Sequence, residues 1–509
     1  MRYDIIIVGT GAGGGTLAWA LAQSGKRILM LERGEYISRE PENWSAGAVI
    51  RQRRYRSNEI WYDEIGRTYR APTHYCVGGN TKFYGSALLR FRRQDFDKVV
   101  HAEGISPAWP LNYSDFEPYY TRAEWLYDVH GERGIDPTEP AASAPYPHPR
   151  IEHAPRIAQL ESDLRELGYH PFHVPLGLLT HQAGPERCVP CATCGGFACF
   201  LHAKADAQIA CVDPALKFPN VTILTGARAV RLHTDASGCV VTAVEVMHGD
   251  ERERYEADIV VVSCGALNSA ALLLRSANSH HPGGLANGSG VVGRFYMRHI
   301  NSCFVAVSHV PNDTIFQKTL AFNDFYFGEH DFPYPMGNVQ LLGRASPESL
   351  AAGPLTLPPD VSVDDLLKRG IDLCVMSEDL PNPDNRLTLA ADGSITMRYS
   401  ENNMRGHLRL ISKLTDTLEH IGCAPYLIET PSYCDRSNSV GGVNHQCGTV
   451  RFGTDPRTSA LDINCKAHEL DNLYVVDSSF FPSSGSTNPS LTIAANALRV
   501  GDHILEKWQ

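Results

Sequence analysis

An unbroken apolar run near the start of the chain predicts a buried strand. Asp4 is followed by Ile-Ile-Ile-Val, a pattern typical of a parallel strand that is covered on both faces. A glycine-rich loop comes next, then a segment rich in Ala and Leu that predicts a helix, and residues 27–31 form a second apolar run. Strand, loop, helix and strand in this order indicate an α/β fold with a parallel sheet.

Later apolar stretches extend the same picture. Residues 221–232 and 240–247 alternate between apolar and polar positions and predict strands joined by a turn at 235–238. Residues 259–274 are the most apolar window, but Ser263 and Gly265 interrupt it and it is shorter than a bilayer span. It predicts a strand followed by a helix, and we expect no membrane partner. Because the first strand begins at the N-terminus, we expect no signal peptide and a cytoplasmic protein.

The glycine-rich loop has the spacing of a dinucleotide site. Gly9 permits a tight turn, Gly11 lets the backbone approach a pyrophosphate, and Gly14 lets the helix pack closely on the strand. The free N–H groups at the helix N-terminus attract the phosphates. Glu32 ends the second strand, about 20 residues beyond the glycines, where an acid that binds ribose belongs.

Composition and charge exclude some other functions. The chain has 509 residues, 43% of them hydrophobic, and a formal charge of −11 with acidic and basic residues interspersed. This is typical of a globular protein with more than one domain. A nucleic-acid partner is not expected, because phosphate binding needs a basic stripe.

The C-terminal part supplies candidate catalytic residues. Residues 473–476 predict a short buried strand, and Asp477 and Ser478 follow at its carboxyl end, where α/β folds place ligand contacts. Asn488 and Pro489 predict the N-cap and first-turn proline of a terminal helix, with Ser490 next to them. His445 is a candidate base, because a histidine side chain can remove a proton near neutral pH. The Asn488 amide could hold the hydroxyl group that loses this proton by hydrogen bonding, without competing for the proton.

Along nearly its whole length the chain resembles the glucose–methanol–choline (GMC) oxidoreductases. The resemblance rests on the N-terminal glycine motif, Gly78-Gly79-Asn80-Thr81-Lys82-Phe83-Tyr84-Gly85, Gly265-Ala-Leu-Asn-Ser269, Val292-Gly293-Arg294, His445-x-x-Gly448-Thr449 and Asn488-Pro489. It implies FAD in a Rossmann-like domain and a substrate domain that covers the flavin ring.

The resemblance also implies roles for single residues. His445 matches the catalytic base of the family and Asn488 its second active-site position. Gly79 and Asn80 match the loop on the flavin, and Ala229 matches a position that contacts adenine through its backbone. The full set of cofactor-binding candidates is Gly9, Gly11, Gly14, Glu32, Gly79, Asn80, Ala229, Asp477, Ser478, Asn488, Pro489 and Ser490. Some members attach FAD covalently through a His just after the Gly-Gly loop; Phe83 stands there, so we expect non-covalent FAD.

Further segments resemble the sugar-oxidising branch of the family, the C-glycoside 3-oxidases and pyranose oxidase-like enzymes. They are residues 32–36, 41–44, 106–110, 118–125, 171–173, 316–319 and 323–327. This implies oxidation of a secondary hydroxyl, at C3 of a glucoside, to a keto sugar. The aromatic residues in 323–332 either stack on the sugar or pack the substrate domain. Candidates for the pocket are His299, Gln317, Lys318 and Asn323.

Other functions compete with this one. The electron acceptor is oxygen, as in an oxidase, or a quinone, cytochrome or dye, as in a dehydrogenase of a sugar, another alcohol or a polyol. The same fold also hosts lyases that do not use their flavin for redox chemistry. A flavin-binding protein without catalysis is a further alternative, but the pair of His445 and Asn488 argues against it.

Four closely spaced cysteines, Cys188, Cys191, Cys194 and Cys199, allow three interpretations. They form a loop of free thiols or a disulfide, they bind an iron–sulfur cluster, or they bind zinc. We expect no metal, because the spacing is not that of two separated Cys-x-x-Cys pairs and differs from the cluster sites of related dehydrogenases.

We therefore predict an α/β chain with two discontinuous domains. A Rossmann-like FAD-binding domain takes residues 1–95, 201–300 and 440–509. A substrate-binding domain with an antiparallel sheet takes residues 96–200 and 301–439.

Overall fold

The computed structural model describes residues 2–182, 184–351, 357, 359, 361–427 and 445–508. Two large sheets dominate this part of the chain, one mainly parallel and one antiparallel, with helices packed on them. The α/β fold with a Rossmann-like sheet and a second, antiparallel sheet is as the sequence predicted.

The first sheet has seven strands built around the apolar N-terminal run. Ile5, Ile6 and Ile7 are fully buried, which explains why this strand has no polar face. In order across the sheet the strands are Val221–Leu224, Ile28–Leu31, Arg2–Val8, Glu251–Val262, Val241–His248 and Ala227–Thr234, with Leu473–Val475 pairing parallel to the end of Glu251–Val262. The first four strands of this order run parallel, so their carboxyl ends meet at one edge.

The second sheet has six strands, all antiparallel. Their order is Cys423–Leu427, Ile300–Ser308, Gly370–Ser377, Asn338–Leu341, Leu320–Phe322 and Phe172–His173. One face is apolar and packs in a single core with helices Pro155–Glu166 and Met404–His420. On the opposite face Val305 and Val307 pack with Leu350 and Leu366 in a smaller core.

Smaller sheets complete the described part of the chain. They comprise Arg386–Leu389, Ile395–Arg398, Ile60–Asp63 and Thr68–Arg70; Leu176–Gly177, Val129–Gly131 and His148–Pro149; and Val99–His101 with Gly104–Ser106. In the first of these, Ile60–Asp63 pairs with Ile395–Arg398, although the two strands were assigned to different domains. The domain limits stay a prediction, and the limit at 439/440 lies outside the described residues.

Helices flank both sheets. The α-helices are Ala12–Leu21, Tyr113–Leu126, Pro155–Glu166, Asp213–Ala215, Ala266–Arg275, Pro347–Leu350, Val363–Arg369, Met404–His420 and Ser490–Glu506, and the short 3-10 and π turns are Ala22–Ser24, Pro41–Trp44, Gly47–Arg51, Gly79–Lys82, Arg93–Phe96, Gln208–Val212 and Ser478–Phe480. Among these helices, none combines the length and the apolar character needed to cross a membrane. Residues 259–274 form a strand end and a helix, as predicted.

Candidate active site

The glycine-rich loop turns sharply at the carboxyl edge of the seven-stranded sheet. Gly9 has a φ of +102°, and a Cβ there would lie 2.2 Å from the Ser263 carbonyl oxygen. A Cβ on Gly14 would lie 2.0 Å from the Gly9 carbonyl oxygen, so Gly14 serves helix packing. Gly11 differs: no described protein atom lies within 4 Å of its would-be Cβ. Described protein atoms therefore fill the space beside Gly9 and Gly14, whereas the space beside Gly11 is open.

Gly13 also has a steric role, although the dinucleotide-binding motif does not include this position. A Cβ there would lie 1.8 Å from the Val476 carbonyl oxygen, at the end of strand Leu473–Val475. The N-terminal loop and the C-terminal segment thus touch at this point. The run Gly13-Gly14-Gly15 was the only sequence signal for it.

Glu32 is locked onto the same loop. Its carboxylate accepts hydrogen bonds from the Thr10 backbone N–H (3.2 Å), the Thr10 hydroxyl (2.7 Å) and the Gly34 N–H (3.0 Å). Burial raises the pKa of Glu32, and these hydrogen bonds oppose the rise. The acid is held rigidly at the strand end.

The loop around Gly79 and Asn80 lies against the glycine-rich loop. The Gly78 N–H donates to the Thr10 hydroxyl (3.2 Å), and a Cβ on Gly79 would lie 3.3 Å from the Gly11 Cα. The Asn80 side-chain oxygen accepts from the His74 N–H at 2.9 Å. Two loops distant in sequence therefore enclose one space.

Asp477 ties the C-terminal segment to the sheet edge. Its carboxylate accepts from the Gly265 N–H (2.9 Å) and the Ser269 hydroxyl on one oxygen, and from Ser479 on the other. The Ser478 hydroxyl donates to the Gln446 carbonyl at 2.6 Å, which places residue 446 and hence His445 beside this edge.

The predicted N-cap role of Asn488 is wrong. The terminal helix begins at Ser490, Pro489 occupies the capping position, and no side chain caps the helix. The Asn488 side-chain oxygen is buried and makes no hydrogen bond to any described residue. Since a buried amide oxygen needs a donor, this atom is available to a ligand.

His445 is paired with a second histidine. The Nδ1 atoms of His299 and His445 are 2.8 Å apart, and His299 Nε2 lies 3.2 Å from the Ser484 carbonyl oxygen. Burial, and then the neighbouring His299, lowers the pKa of His445 to about 3. Burial lowers the pKa of His299 to about 4. Both rings are therefore neutral at physiological pH.

The six-stranded sheet contributes polar residues from one face. Asn301 is paired with Met376 and Cys374 with Gln340, and Cys374 and Met376 are two residues apart, so all four point to the same side. The Asn301 and Gln340 side-chain oxygens are buried without a hydrogen-bond partner in the described structure. No motif in the sequence pointed to these two amides.

These elements surround one cavity of about 870 Å³. It lies between the two sheets. The predicted residues that line it are Gly9, Gly11, Glu32, Gly79, Asn80, Ala229, His445, Asp477, Ser478, Asn488, Pro489 and Ser490. Gly14 packs behind the loop instead. Asn301, Lys318, Gln340, Cys374 and Met376 line the same cavity, so the candidate base and the polar sheet face share one space.

Of the four expected pocket residues, Lys318 lines this cavity; His299 contacts His445 without being part of the lining, and Gln317 and Asn323 lie elsewhere. Gln317 donates to Asp372 (3.0 Å), and Asn323 donates to Asp136 (2.8 Å), both in buried networks away from the cavity. The aromatic residues of 323–332 do not line the cavity either: Phe325 packs in the core behind the six-stranded sheet. Of the two interpretations of this segment, packing is the correct one.

Comparisons with known proteins identify the family. The family models for the N- and C-terminal parts of GMC oxidoreductases match residues 3–300 and 381–497. The chain belongs to the GMC oxidoreductase family. It is 31% identical to paromamine 6′-oxidase from Streptomyces fradiae, over 98% of this chain and 90% of that protein. It is also 31% identical to 6‴-hydroxyparomomycin C oxidase from Streptomyces lividus, with the same coverage. The crystal structure of pyridoxine 4-oxidase from Mesorbium loti has the same fold, with a TM-score of 0.68 at 19% identity over 98% of this chain and 99% of that one.

As a GMC oxidoreductase the chain is an FAD-dependent enzyme that acts on CH–OH groups. The cavity fits that cofactor. The open space at Gly11 lies at the N-terminus of helix Ala12–Leu21, which has no side-chain cap, so its N–H groups are free for a pyrophosphate. Gln446 Nε2 and Asn488 Oδ1, both buried without a partner among the described residues, offer a donor and an acceptor at the other end.

The four closely spaced cysteines line one small cavity of about 20 Å³; they are Cys188, Cys191, Cys194 and Cys199. All four are free thiols, and burial raises the pKa of Cys188 to about 12. Lys204 donates to the carbonyl groups of Cys194 (3.1 Å) and Phe197 (2.7 Å) and so fixes the loop. The expectation that these cysteines bind no metal stays a prediction.

Proposed function

We propose that this enzyme oxidises a ring hydroxyl group of a neutral glycoside, with His445 as the base that removes the hydroxyl proton. The observation that carries the proposal is the shared cavity, where His445 and Asn488 meet the polar face of the six-stranded sheet. The cavity offers the His445 imidazole and the amides of Asn488, Asn301 and Gln340, a set that suits a substrate with several hydroxyl groups.

The sheet face supports a sugar as substrate. The buried oxygens of Asn301, Gln340 and Asn488 are acceptors without donors from the described residues, and sugar hydroxyls are donors. Met376 and Cys374 lie between them and offer contact to the apolar C–H faces of the ring. A simple monohydric alcohol would leave most of these acceptors unpaired.

Charge favours an uncharged sugar. Lys318 lines the cavity, and its ammonium group donates to the Gly85 carbonyl. A fixed positive charge beside the pocket disfavours a substrate that carries ammonium groups. We therefore expect a glycoside rather than an aminosugar.

The chemistry divides between the chain and its cofactor. Bound FAD supplies a hydride acceptor. His445 takes the hydroxyl proton, and its lowered pKa keeps the imidazole unprotonated and ready for this step. Asn488 accepts a hydrogen bond from the substrate and orients it for the reaction.

We propose C3 of a glucoside as the reacting carbon, following the resemblance to the sugar-oxidising branch. A second candidate is the 6-position, because the names of the two relatives place their reactions at 6′ and 6‴. Product analysis with methyl glucoside and its 3-deoxy and 6-deoxy analogues separates them. Oxidation at C3 requires that the 6-deoxy analogue reacts and the 3-deoxy analogue does not; the reverse result assigns the 6-position. Running each reaction with oxygen and with an artificial acceptor shows which oxidant the enzyme uses.

Activity is expected to persist at acid pH. The pKa of His445 is lowered to about 3, so the neutral base is present well below the ordinary histidine value of 6.5. The rate of flavin reduction should stay within about twofold between pH 7 and about pH 5. An unshifted histidine would lose roughly 25-fold over this range, since it would be almost fully protonated at the lower pH. Anaerobic stopped-flow measurement of the rate against pH distinguishes the two.

Acid precipitation is expected to release the flavin from the protein. Phe83 stands at the position that a histidine uses for covalent attachment, and its ring stacks on His74 with centroids 3.8 Å apart. Free FAD should appear in the supernatant and the pellet should be colourless. A yellow pellet would contradict the non-covalent assignment, and peptide mapping would then test His74, which also lines the cavity.

A further inference from the structure

A buried chain of hydrogen bonds leads from the backbone to the proposed base. The Ser484 carbonyl oxygen lies 3.2 Å from His299 Nε2, and His299 Nδ1 lies 2.8 Å from His445 Nδ1. His299 is 1% exposed. It immediately precedes strand Ile300–Ser308, so the sheet that carries Asn301 also fixes this ring.

The positions of the protons follow from the chemistry of these groups. A carbonyl oxygen only accepts, so His299 Nε2 must carry the hydrogen of its bond to Ser484. A neutral imidazole has a single N–H, so His299 Nδ1 is bare and acts as an acceptor. The hydrogen between the two rings therefore belongs to His445 Nδ1. His445, neutral in turn, is left with a bare Nε2.

We propose that His299 is a positioning residue that fixes the tautomer and ring orientation of His445, so that His445 Nε2 is the atom that takes the substrate proton. This inference rests on the proposed function. In the step, the substrate O–H bond breaks and an Nε2–H bond forms, while His445 keeps donating Nδ1–H to His299. The Ser484 carbonyl is thus the fixed end of this hydrogen-bond chain, which we call the relay although no proton moves along it. The relay requires both imidazole rings to be neutral, and the lowered pKa of His299 and of His445 agrees with this.

Two amide variants test the relay against a purely structural role. In His299→Asn the amide oxygen occupies the place of Nδ1 and can accept from His445. In His299→Gln the longer side chain brings its amide to the place of Nε2, so the bond to Ser484 is kept and the acceptor for His445 is lost. Both variants keep an amide in the same buried site and differ in which hydrogen bond they preserve.

We expect His299→Asn to reduce its flavin within about threefold of the wild-type rate and His299→Gln to lose about 10- to 100-fold, the range for a misplaced catalytic group. A histidine base in the wrong tautomer loses as much as about 10⁴-fold in serine proteases, the system from which that figure comes. The substrate KM and the FAD content should be unchanged in both variants. Equal rates in the two variants, or equal losses accompanied by loss of FAD, would overturn the proposal.

The tautomer can also be observed without turnover. With ¹⁵N-labelled histidine, His445 should show a protonated Nδ1 and a bare Nε2 in the wild type and in His299→Asn, but not in His299→Gln; the His445→Ala variant identifies its signals. The opposite tautomer in the wild type would overturn the proposal. If no glycoside reduces the wild-type flavin, the proposed function fails. If the wild type reacts and His445→Ala does not, but His299→Asn and His299→Gln behave alike, only the relay fails.

Discussion

Gly11→Ala is expected to give a folded protein that has lost most of its FAD. No described protein atom lies within 4 Å of the added Cβ, so the apoprotein has room for it. The space belongs to the pyrophosphate, whose approach to the backbone requires glycine. An overlap that costs about 1–3 kcal/mol weakens binding by about 5- to 150-fold. The FAD content after purification and the affinity on reconstitution measure the effect.

Gly14→Ala is the matched control. The same methyl group would there lie 2.0 Å from the Gly9 carbonyl oxygen, inside the packing of helix on strand. This variant should lose folding stability, visible as a lower melting temperature of the apoprotein or as insoluble protein, whereas Gly11→Ala should melt like the wild-type apoprotein. Normal FAD binding by Gly11→Ala would show that the pyrophosphate does not lie on this loop.

His445→Ala is expected to lower the rate of flavin reduction by at least about 10²-fold, the usual contribution of a general base. The FAD content and the substrate KM should change little, because the role assigned to His445 is proton removal. His445 lines the cavity, and its partner His299 holds it from the opposite side. Rapid mixing with substrate under anaerobic conditions isolates this step from reoxidation.

His130→Ala provides the control for losing a buried histidine. His130 is 4% exposed, and its ring nitrogens face the carbonyl groups of Pro149 and Leu178, away from the cavity. Its removal should lower stability and leave flavin reduction unchanged. If His445→Ala in folded, FAD-loaded protein were as fast as His130→Ala, another group would be the base.

The sequence predicted best where the signal is local. The strand, the glycine loop, the helix and Glu32 lie within one short segment, and each glycine has a steric role that the spacing alone indicates. His445 and Asn488 were found through motifs and share the cavity, although the helix start was misplaced because Pro489 occupies the capping position itself. No side chain caps this helix, and Asn488, whose side-chain oxygen is buried without a partner among the described residues, lines the cavity.

The rest of the site comes from strand pairing, which no local pattern encodes. Asn301 and Gln340 share a face only because both of their strands pair with Gly370–Ser377. His299 was a candidate for the pocket, but its contact with His445 joins residues 146 positions apart. Gln317 and Asn323 are polar residues of the same kind, and their buried partners, Asp372 and Asp136, were equally invisible in the sequence.

Anaerobic titration of the enzyme with a glucoside, followed by the flavin absorbance, tests the central claim most directly. We predict that the flavin absorbance of the wild-type protein bleaches as the sugar is added and that a keto sugar forms in equal amount. A flavin that stays oxidised with every glycoside, polyol and alcohol offered would contradict it and would favour a lyase that keeps its flavin out of the redox chemistry.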